Sequence, residues 1–449
     1  MDLQGIKIQK LFGYFDYTIS LNQQEGITIL TGPNGYGKTT ILNIIYHFFK
    51  QNFYFFQKLN FQDITFCFAG DKRITIFKKK SPQESSFVDV YLELKNKKKT
   101  IEKFVFDYAI EKKLSQDIAK LYPSIESWYK DNLLYDSNAK SKIKKEDFFS
   151  QIPQKIFDIV DGLAKKTEIT QLILILSSAD AYFIKAQRLL KQLNIVEKPK
   201  RYYDGDDDDS FSHTIQYYAK ELKNLIEQSQ VSALKVMQEM DNSFLNRLMQ
   251  SQEEILYEEF NERFLALIKK QEMLRQIGIT IFNIQVPEYK NDKAGVLSVY
   301  LDDLEKKMSF FDELVKKINL FITMLNKKEF YHKKVITIDG EFGFKFITDK
   351  EEVLDLTVLS SGEQQEIVFL YELIFKIQPN TLILIDEPEI SLHVLWQKVF
   401  IQNLLSIIDI HPTISFLLAT HSPQIINGRW DMVTDLYKIA NDEVPSEDE

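Results

Sequence analysis

Apolar and polar positions fall into three regimes along this chain. In residues 1–50, Ile6 to Leu11 and Tyr17 to Leu21 alternate as strands do, and Ile27-Thr28-Ile29-Leu30-Thr31 is a β-branched run that stops at Gly32, as a buried strand would. A helix is predicted from near Lys38, with Ile41, Leu42, Ile44, Ile45 and Phe48 forming a broad apolar face. From about 60 to 110, Ile64 to Phe68, Arg73 to Phe77 and Val88 to Leu94 alternate or run apolar between short polar pieces, which predicts a meander of antiparallel strands. Residues 115–165 read as mainly helical, and Gln171 to Leu176 and Ala181 to Ile184 as short strands.

The second regime is helical. Residues 211–275 contain neither proline nor glycine, and a second helical stretch covers roughly 297–327, with a strand-like Ile279-Thr280-Ile281-Phe282 between them. Two long helical pieces flanking a short insert predict an antiparallel helical arm over about 211–327. The last third returns to α/β. Thr381 to Asp386 and Ser415 to Thr420 are buried-strand runs, and Leu392 to Ile407 between them reads as a helix. Such strand–helix–strand alternation predicts a parallel sheet.

Composition narrows the class. The 449 residues suffice for one large or two modest domains, and 44% hydrophobic with 27% charged is ordinary for a soluble globular chain. No apolar run approaches the ~20 residues of a membrane span. Met1 to Ile6 shows no basic segment leading into an apolar core, so a secretory leader is not expected. The one cysteine, Cys67, excludes an intrachain disulfide and is expected as a small buried hydrophobe. These features fit a cytoplasmic protein. The net charge of −9 argues against a nucleic-acid coat, although local basic patches remain open. Asp204 to Asp209 is an acidic run expected as an exposed loop; it lacks the spaced ligands of a calcium loop.

Four segments carry candidate chemistry. Gly32-Pro33-Asn34-Gly35-Tyr36-Gly37-Lys38-Thr39 satisfies G-x-x-x-x-G-K-[ST] between a predicted strand and a predicted helix. Glycines let such a loop curl so that backbone N–H groups and the helix dipole point at phosphate oxygens. Lys38 is then expected on the β- and γ-phosphates and the Thr39 hydroxyl on Mg²⁺. Leu382 to Ile385 followed by Asp386 and Glu387 would end a buried strand in two carboxylates, one suited to Mg²⁺ and one to a water nucleophile. Leu359-Ser360-Ser361-Gly362-Glu363-Gln364 precedes a helix running to about Lys376. Capping alone, with Ser361 and Gln364 three apart, also accounts for it. Thr420-His421-Ser422-Pro423 follows the last apolar strand, where a polar side chain would face a γ-phosphate.

In this order the four segments resemble the ABC ATPase superfamily, and the long middle resembles its SMC, RecF and OLD branch. Asp386-Glu387-Pro388-Glu389-Ile390-Ser391-Leu392-His393 is similar to the Asp-Glu-Pro-Glu-x-x-Leu-His pattern of OLD-like ATPases. The resemblance implies an α/β ATPase head with mixed and parallel sheets and an inserted helical, coiled-coil-like arm. It divides the chain into an N-terminal lobe (1–110), a mostly helical insertion (111–340) and a C-terminal lobe (341–449). It implies ATP with Mg²⁺ bound by Asn34, Gly35, Gly37, Lys38, Thr39 and Thr40, the metal on Thr39 and Asp386, and Glu387 and His421 in catalysis. It further implies a head-to-tail homodimer, or a higher homo-oligomer, with Ser360, Ser361, Gly362 and Glu363 reaching the nucleotide of the other copy. Ser391 falls at the D-loop. Ser361 and Glu363 depart from the transporter form Leu-Ser-Gly-Gly-Gln.

OLD nucleases carry a C-terminal TOPRIM domain. About 28 residues follow His421, so cleavage is expected from a separate nuclease or effector, as in two-gene anti-phage systems. A nucleotide-gated scaffold with slow hydrolysis and a DNA-repair ATPase are the rival readings. Several residues stay open. Gln62 is a Q-loop candidate by position. Phe12, Tyr14 and Phe15 could stack adenine or fill the core. Lys78 to Lys80 and Lys97 to Lys99 could cap hairpins as solvated turns or touch DNA phosphates. Arg188 could pair with an acid or a phosphate.

Overall fold

The computed structural model describes residues 3–84, 87–97, 99–122, 125–128, 133–136, 141–144, 148, 156, 170–184, 210–250, 255–285, 287–327, 334–390, 392 and 394–441. Arg188, the 204–209 acidic run, Ser391, His393 and Lys98 lie outside the described residues. The chain divides into two compact units, Met1–Asp204 with Ile377–Glu449, and Gly205–Lys376.

The first unit is built on two principal sheets. Strands β1 (Leu3–Leu11), β2 (Phe15–Ser20), β4 (Asp63–Phe68), β5 (Lys72–Lys80), β6 (Val88–Asn96) and β7 (Lys99–Phe106) form an antiparallel sheet in the order β2-β1-β4-β5-β6-β7. The alternation of the sequence sets its faces. Ile6, Ile8, Ile64, Phe66, Ile74, Ile76, Leu92, Leu94, Phe104 and Phe106 are buried together with Ile41, Ile44, Ile45 and Phe48 of helix α1 (Lys38–Phe49). Phe48 lies flat on Phe66, with ring centroids 3.7 Å apart. The other sheet is parallel: β11 (Asp180–Ile184), β15 (Thr381–Asp386), β16 (Ser415–Ala419), β3 (Ile27–Thr31) and β17 (Val433–Asp435), in that spatial order. Every residue of β15 is buried, which is why its sequence runs apolar without alternation. Among the described residues, helices α2 (Phe53–Lys58), α3 (Tyr108–Leu121), α4 (Thr170–Ser178), α10 (Val394–Ile410), α11 (Pro423–Ile426) and α12 (Leu436–Asn441) also belong to this unit.

The second unit holds α5 (Ser210–Gln250), α6 (Tyr257–Gln276), α7 (Ala294–Ser309), α8 (Asp312–Leu325) and α9 (Ser361–Tyr371), which continues as a π-helical turn over Glu372–Lys376. With them lies a small antiparallel sheet of β12 (Lys334–Asp339), β13 (Gly343–Thr348) and β14 (Val353–Leu354).

Several expectations are corrected. Gln171 to Leu176 is helical, within α4. The cause lies far off in sequence: the buried Glu102 carboxylate on β7 accepts from the N–H groups of Gln171 (2.9 Å) and Leu172 (2.7 Å), satisfying donors that a helix start leaves open. Within 115–165, β8 (Ile125–Trp128), β9 (Leu133–Asp136) and β10 (Ser141–Lys144) form an antiparallel three-stranded sheet. Ile279 to Phe282 is not a strand. Its backbone closes α6 instead, with Ile279 N–H on Leu274 O (2.8 Å) and Ile284 N–H on the Gln271 side chain (3.0 Å). Lys78 sits inside β5, not at a hairpin end. It is half-buried and donates to the carbonyls of Gln57 (3.3 Å) and Leu59 (2.5 Å). Cys67 is half-buried on β4.

Candidate functional site

Strand β3 delivers the chain into the glycine-rich loop and α1 leaves it. Gly37 caps the helix at φ 83°, and a Cβ there would stand 3.2 Å from Leu11 and 3.4 Å from Phe12. Gly35, at φ 88°, has nothing within 4 Å of such a Cβ, so the loop is open on that side. Both need the left-handed region that glycine occupies without strain. Asn34 is exposed and Thr40 half-buried. The loop is braced by Tyr17, whose hydroxyl donates to Tyr36 O (2.8 Å), and by Tyr36 packing between Phe15 and Tyr437.

Lys38 is 6% exposed and donates to Gly32 O (2.9 Å) and Pro33 O (3.3 Å), with His421 Nε2 in contact with the same ammonium. Burial holds its pKa below the usual lysine value, against the pull of Glu387, Asp386 and Glu389. The loop's own carbonyls thus occupy an ammonium that phosphate oxygens satisfy better.

Strand β16 stands between β3 and β15, which sets the ends of β15 and β16 beside the loop. Asp386 closes β15, 8% exposed, and both its oxygens accept from the Thr39 hydroxyl at 3.0 Å. Burial raises its pKa, partly countered by the Thr39 hydrogen bond and by Lys38. Glu387 takes φ 43°, costly for a non-glycine residue, and its N–H donates to Ala419 O (2.8 Å). Its carboxylate is 4.0 Å from His421 Nε2. Lys38, His421, Glu387, Asp386 and Thr39 therefore converge at the carboxyl ends of the interior strands β3, β15 and β16.

Glu389 was not singled out in the sequence reading. Its carboxylate accepts from the Thr420 hydroxyl (2.8 Å) and the His421 N–H (2.9 Å), fixing the backbone that presents His421. Gln397 on α10 backs it, donating to Glu389 O (3.2 Å) and Leu392 O (3.0 Å) and accepting from the Ser422 hydroxyl (3.1 Å). The signal was the third acidic residue of Asp386-Glu387-Pro388-Glu389. Beside Gly32, Pro33, Thr420 and His421 opens a cavity of about 430 Å³, walled further by Trp430 and Tyr437.

Among the described residues no group of three or more His, Cys, Asp or Glu could hold a metal by itself. Thr39 and Asp386 offer two hard oxygen donors in contact. That suits a Mg²⁺ completed by phosphate and water rather than an all-protein cage.

Ser360 to Glu363 belong to the second unit. Ser360, not Ser361, is the N-cap of α9. Its N–H and hydroxyl donate to Glu363 (2.8 and 2.9 Å), and its hydroxyl accepts from Glu363 N–H (3.4 Å). The box is one residue earlier than capping logic indicated, because Gln364 turns back instead to Leu359 O (2.8 Å). Burial would raise Glu363, but hydrogen bonds from Lys334 (2.8 Å) and Ser360 hold its pKa below the ordinary value. Ser360, Ser361 and Gly362 are exposed, and a Cβ on Gly362 would meet nothing within 4 Å. Gln62 pairs with Gln9 through its N–H (2.9 Å). Tyr14 is 64% exposed, while Phe12 and Phe15 are half-buried against the core of the first unit.

Residues 1–426 match the AAA ATPase domain family, and the chain belongs to it. No curated protein matches. Among solved structures, the chain is similar to the Smc head domain of Pyrococcus furiosus with an extended coiled coil, bound to the C-terminal domain of ScpA (11% identity, TM-score 0.36, covering 95% of this chain and 91% of that one). It is also similar to the SMC head domain of Thermotoga maritima (9% identity, TM-score 0.30, covering 97% and 94%). No helix among the described residues is long and apolar enough to cross a membrane.

Proposed function

We propose that this member of the AAA ATPase domain family binds ATP with Mg²⁺ and hydrolyses it to ADP and phosphate. The observation that carries this reading is the convergence of Lys38, Thr39, Asp386, Glu387 and His421 at the ends of β3, β15 and β16. Phosphate oxygens take Lys38 from the Gly32 and Pro33 carbonyls, and the open N–H groups of the loop through Gly35 and Gly37 bind the rest. Thr39 and Asp386 would hold Mg²⁺, which when bound neutralises charge on the phosphates. Glu387 accepts the proton of the attacking water, and its strained, tethered backbone keeps the carboxylate at the strand end. His421, fixed by Glu389, contacts the γ-phosphate through Nε2.

The exposed N-terminus of α9 supports a second element of the proposal. In a head-to-tail pair of copies, Ser360, Ser361, Gly362 and Glu363 of one would close on the nucleotide of the other, N–H groups foremost. The further expectation is that the cycle governs a separate nuclease or DNA-acting partner in bacterial anti-phage defence. It is supported by the Asp386 to His393 pattern alone.

The test is steady-state ATP turnover, with and without duplex DNA. Glu387→Gln is expected to cut turnover about 10²–10⁴-fold while keeping ATP affinity, and Lys38→Ala to lose binding. Full turnover in Glu387→Gln would remove the general base. Binding without turnover in the unaltered chain would replace the enzyme by a nucleotide-gated scaffold.

A further inference from the structure

Three segments meet behind Glu387 and His421: the turn that leaves β15, the turn that leaves β16, and the first turns of α10. The first is a 3-10 turn over Pro388–Ile390, closed by Ile390 N–H on Glu387 O (3.2 Å). Four residues tie the segments into a closed ring of hydrogen bonds. The Glu389 carboxylate accepts from the Thr420 hydroxyl (2.8 Å), and that hydroxyl oxygen accepts from Ser422 N–H (3.0 Å). The Ser422 hydroxyl donates to the Gln397 side-chain oxygen (3.1 Å), and the Gln397 amide nitrogen returns to the Glu389 backbone carbonyl (3.2 Å). The same nitrogen also donates to Leu392 O (3.0 Å).

Gln397 is the member that the fold by itself does not require. It is 7% exposed, and Trp396, Phe400, Ile401 and Leu404 are buried on α10 with it. A methionine would fill nearly the same volume. A buried amide is costly unless both its ends are bonded, and here both are. The donor and acceptor must also stand at this reach. A glutamate would set a carboxylate against the Glu389 and Leu392 carbonyls with nothing to donate, and an asparagine would fall one methylene short. The ring it closes is interleaved with the groups proposed to act on ATP. Glu389 follows Glu387 by two positions, and Thr420 and Ser422 flank His421.

We propose that Gln397 is a positioning residue for hydrolysis: by closing the ring it locks the turn after Glu387 to the turn that carries His421, and so sets the 4.0 Å separation of the Glu387 carboxylate and His421 Nε2. The inference rests on the ATPase reading above. Hydrogen bonds joined in a ring support one another, so opening it at Gln397 or at Ser422 frees the same two turns. The glycine loop and Lys38 stand outside the ring. The loss therefore falls on kcat and leaves ATP affinity in place.

The test is a set of double-mutant cycles on ATP turnover and ATP affinity in the full chain. Gln397→Met should lower kcat about tenfold, with the Kd for ATP held within about twofold. Ser422→Ala, a smaller change that leaves α10 intact, should lower kcat in the same direction, and the doubly substituted chain should be no slower than Gln397→Met. In a His421→Ala background Gln397→Met should lose most of its effect, because the separation it sets no longer has a second member. Melting temperatures accompany each variant. An unchanged kcat in Gln397→Met, a fall of kcat and ATP affinity together, or the full fall repeated on top of His421→Ala would each overturn the proposal and leave the ATPase reading standing. Absence of turnover in the unaltered chain would remove that reading, and the proposal with it.

Discussion

At the scale of the residue, Asp386 shows how the proposed site works against the fold. It is nearly buried, beside Glu387 and Glu389, and burial lifts its pKa above the ordinary ~3.9. A carboxylate whose folded pKa is raised binds protons better in the folded than in the unfolded chain. Its contribution is therefore lost as pH rises from the ordinary value through the raised one, and above that window the ionised group is a net cost. Asp386→Asn removes the charge. The nucleotide-free variant should be as stable as the unaltered chain or up to about 1 kcal/mol more so, without that pH-dependent loss. It should also lose the rise in melting temperature that Mg²⁺-ATP gives the unaltered chain. Melting curves with and without Mg²⁺-ATP at several pH values decide it; an unchanged ligand-induced rise would take Asp386 out of the metal site. The candidate residues at this scale were legible because fixed spacings in a glycine loop and at a strand end leave few chemical alternatives. Glu389 was less so, since its hydrogen bonds to Thr420 and His421 reach across 31 and 32 positions.

Elements were legible where one periodicity was unambiguous. The β1 to β7 strands and the long helices follow their patterns, and Thr381 to Asp386, apolar from Leu382 to Ile385, is the buried strand its run implied. Gln171 to Leu176 carries an equally apolar run and became a helix, because Glu102, remote in sequence, supplies acceptors for its first N–H groups. No local pattern encodes that. The same holds for Gly343, whose constraint comes from α5, remote in sequence. At φ 83° its hypothetical Cβ would stand 1.8 Å from Ala219 O and 3.1 Å from Lys223 N, both backbone atoms of α5 that cannot rotate away. Gly343→Ala should cost roughly 3 kcal/mol or more, read by urea unfolding. Gly362→Ala, with open space and an ordinary φ, should cost nothing or stabilise α9 slightly. Equal effects at the two glycines would mean that α5 and β13 are not held as closely as described.

At the scale of the whole molecule the sequence was least informative, because the two units are assembled from contacts between distant segments. The glycine loop and the Asp386 strand lie in one unit and the Ser360 helix in the other. The proposed head-to-tail contact would therefore join the Ser360 helix of one copy to the glycine loop of another and depend on bound nucleotide. The Glu387→Gln chain, which keeps ATP without turning it over, should form a dimer when ATP is added, and Lys38→Ala should not respond to ATP. Light scattering of the two proteins with and without ATP decides it: an assembly state of Glu387→Gln that ignores ATP would take Ser360 to Glu363 out of the nucleotide site.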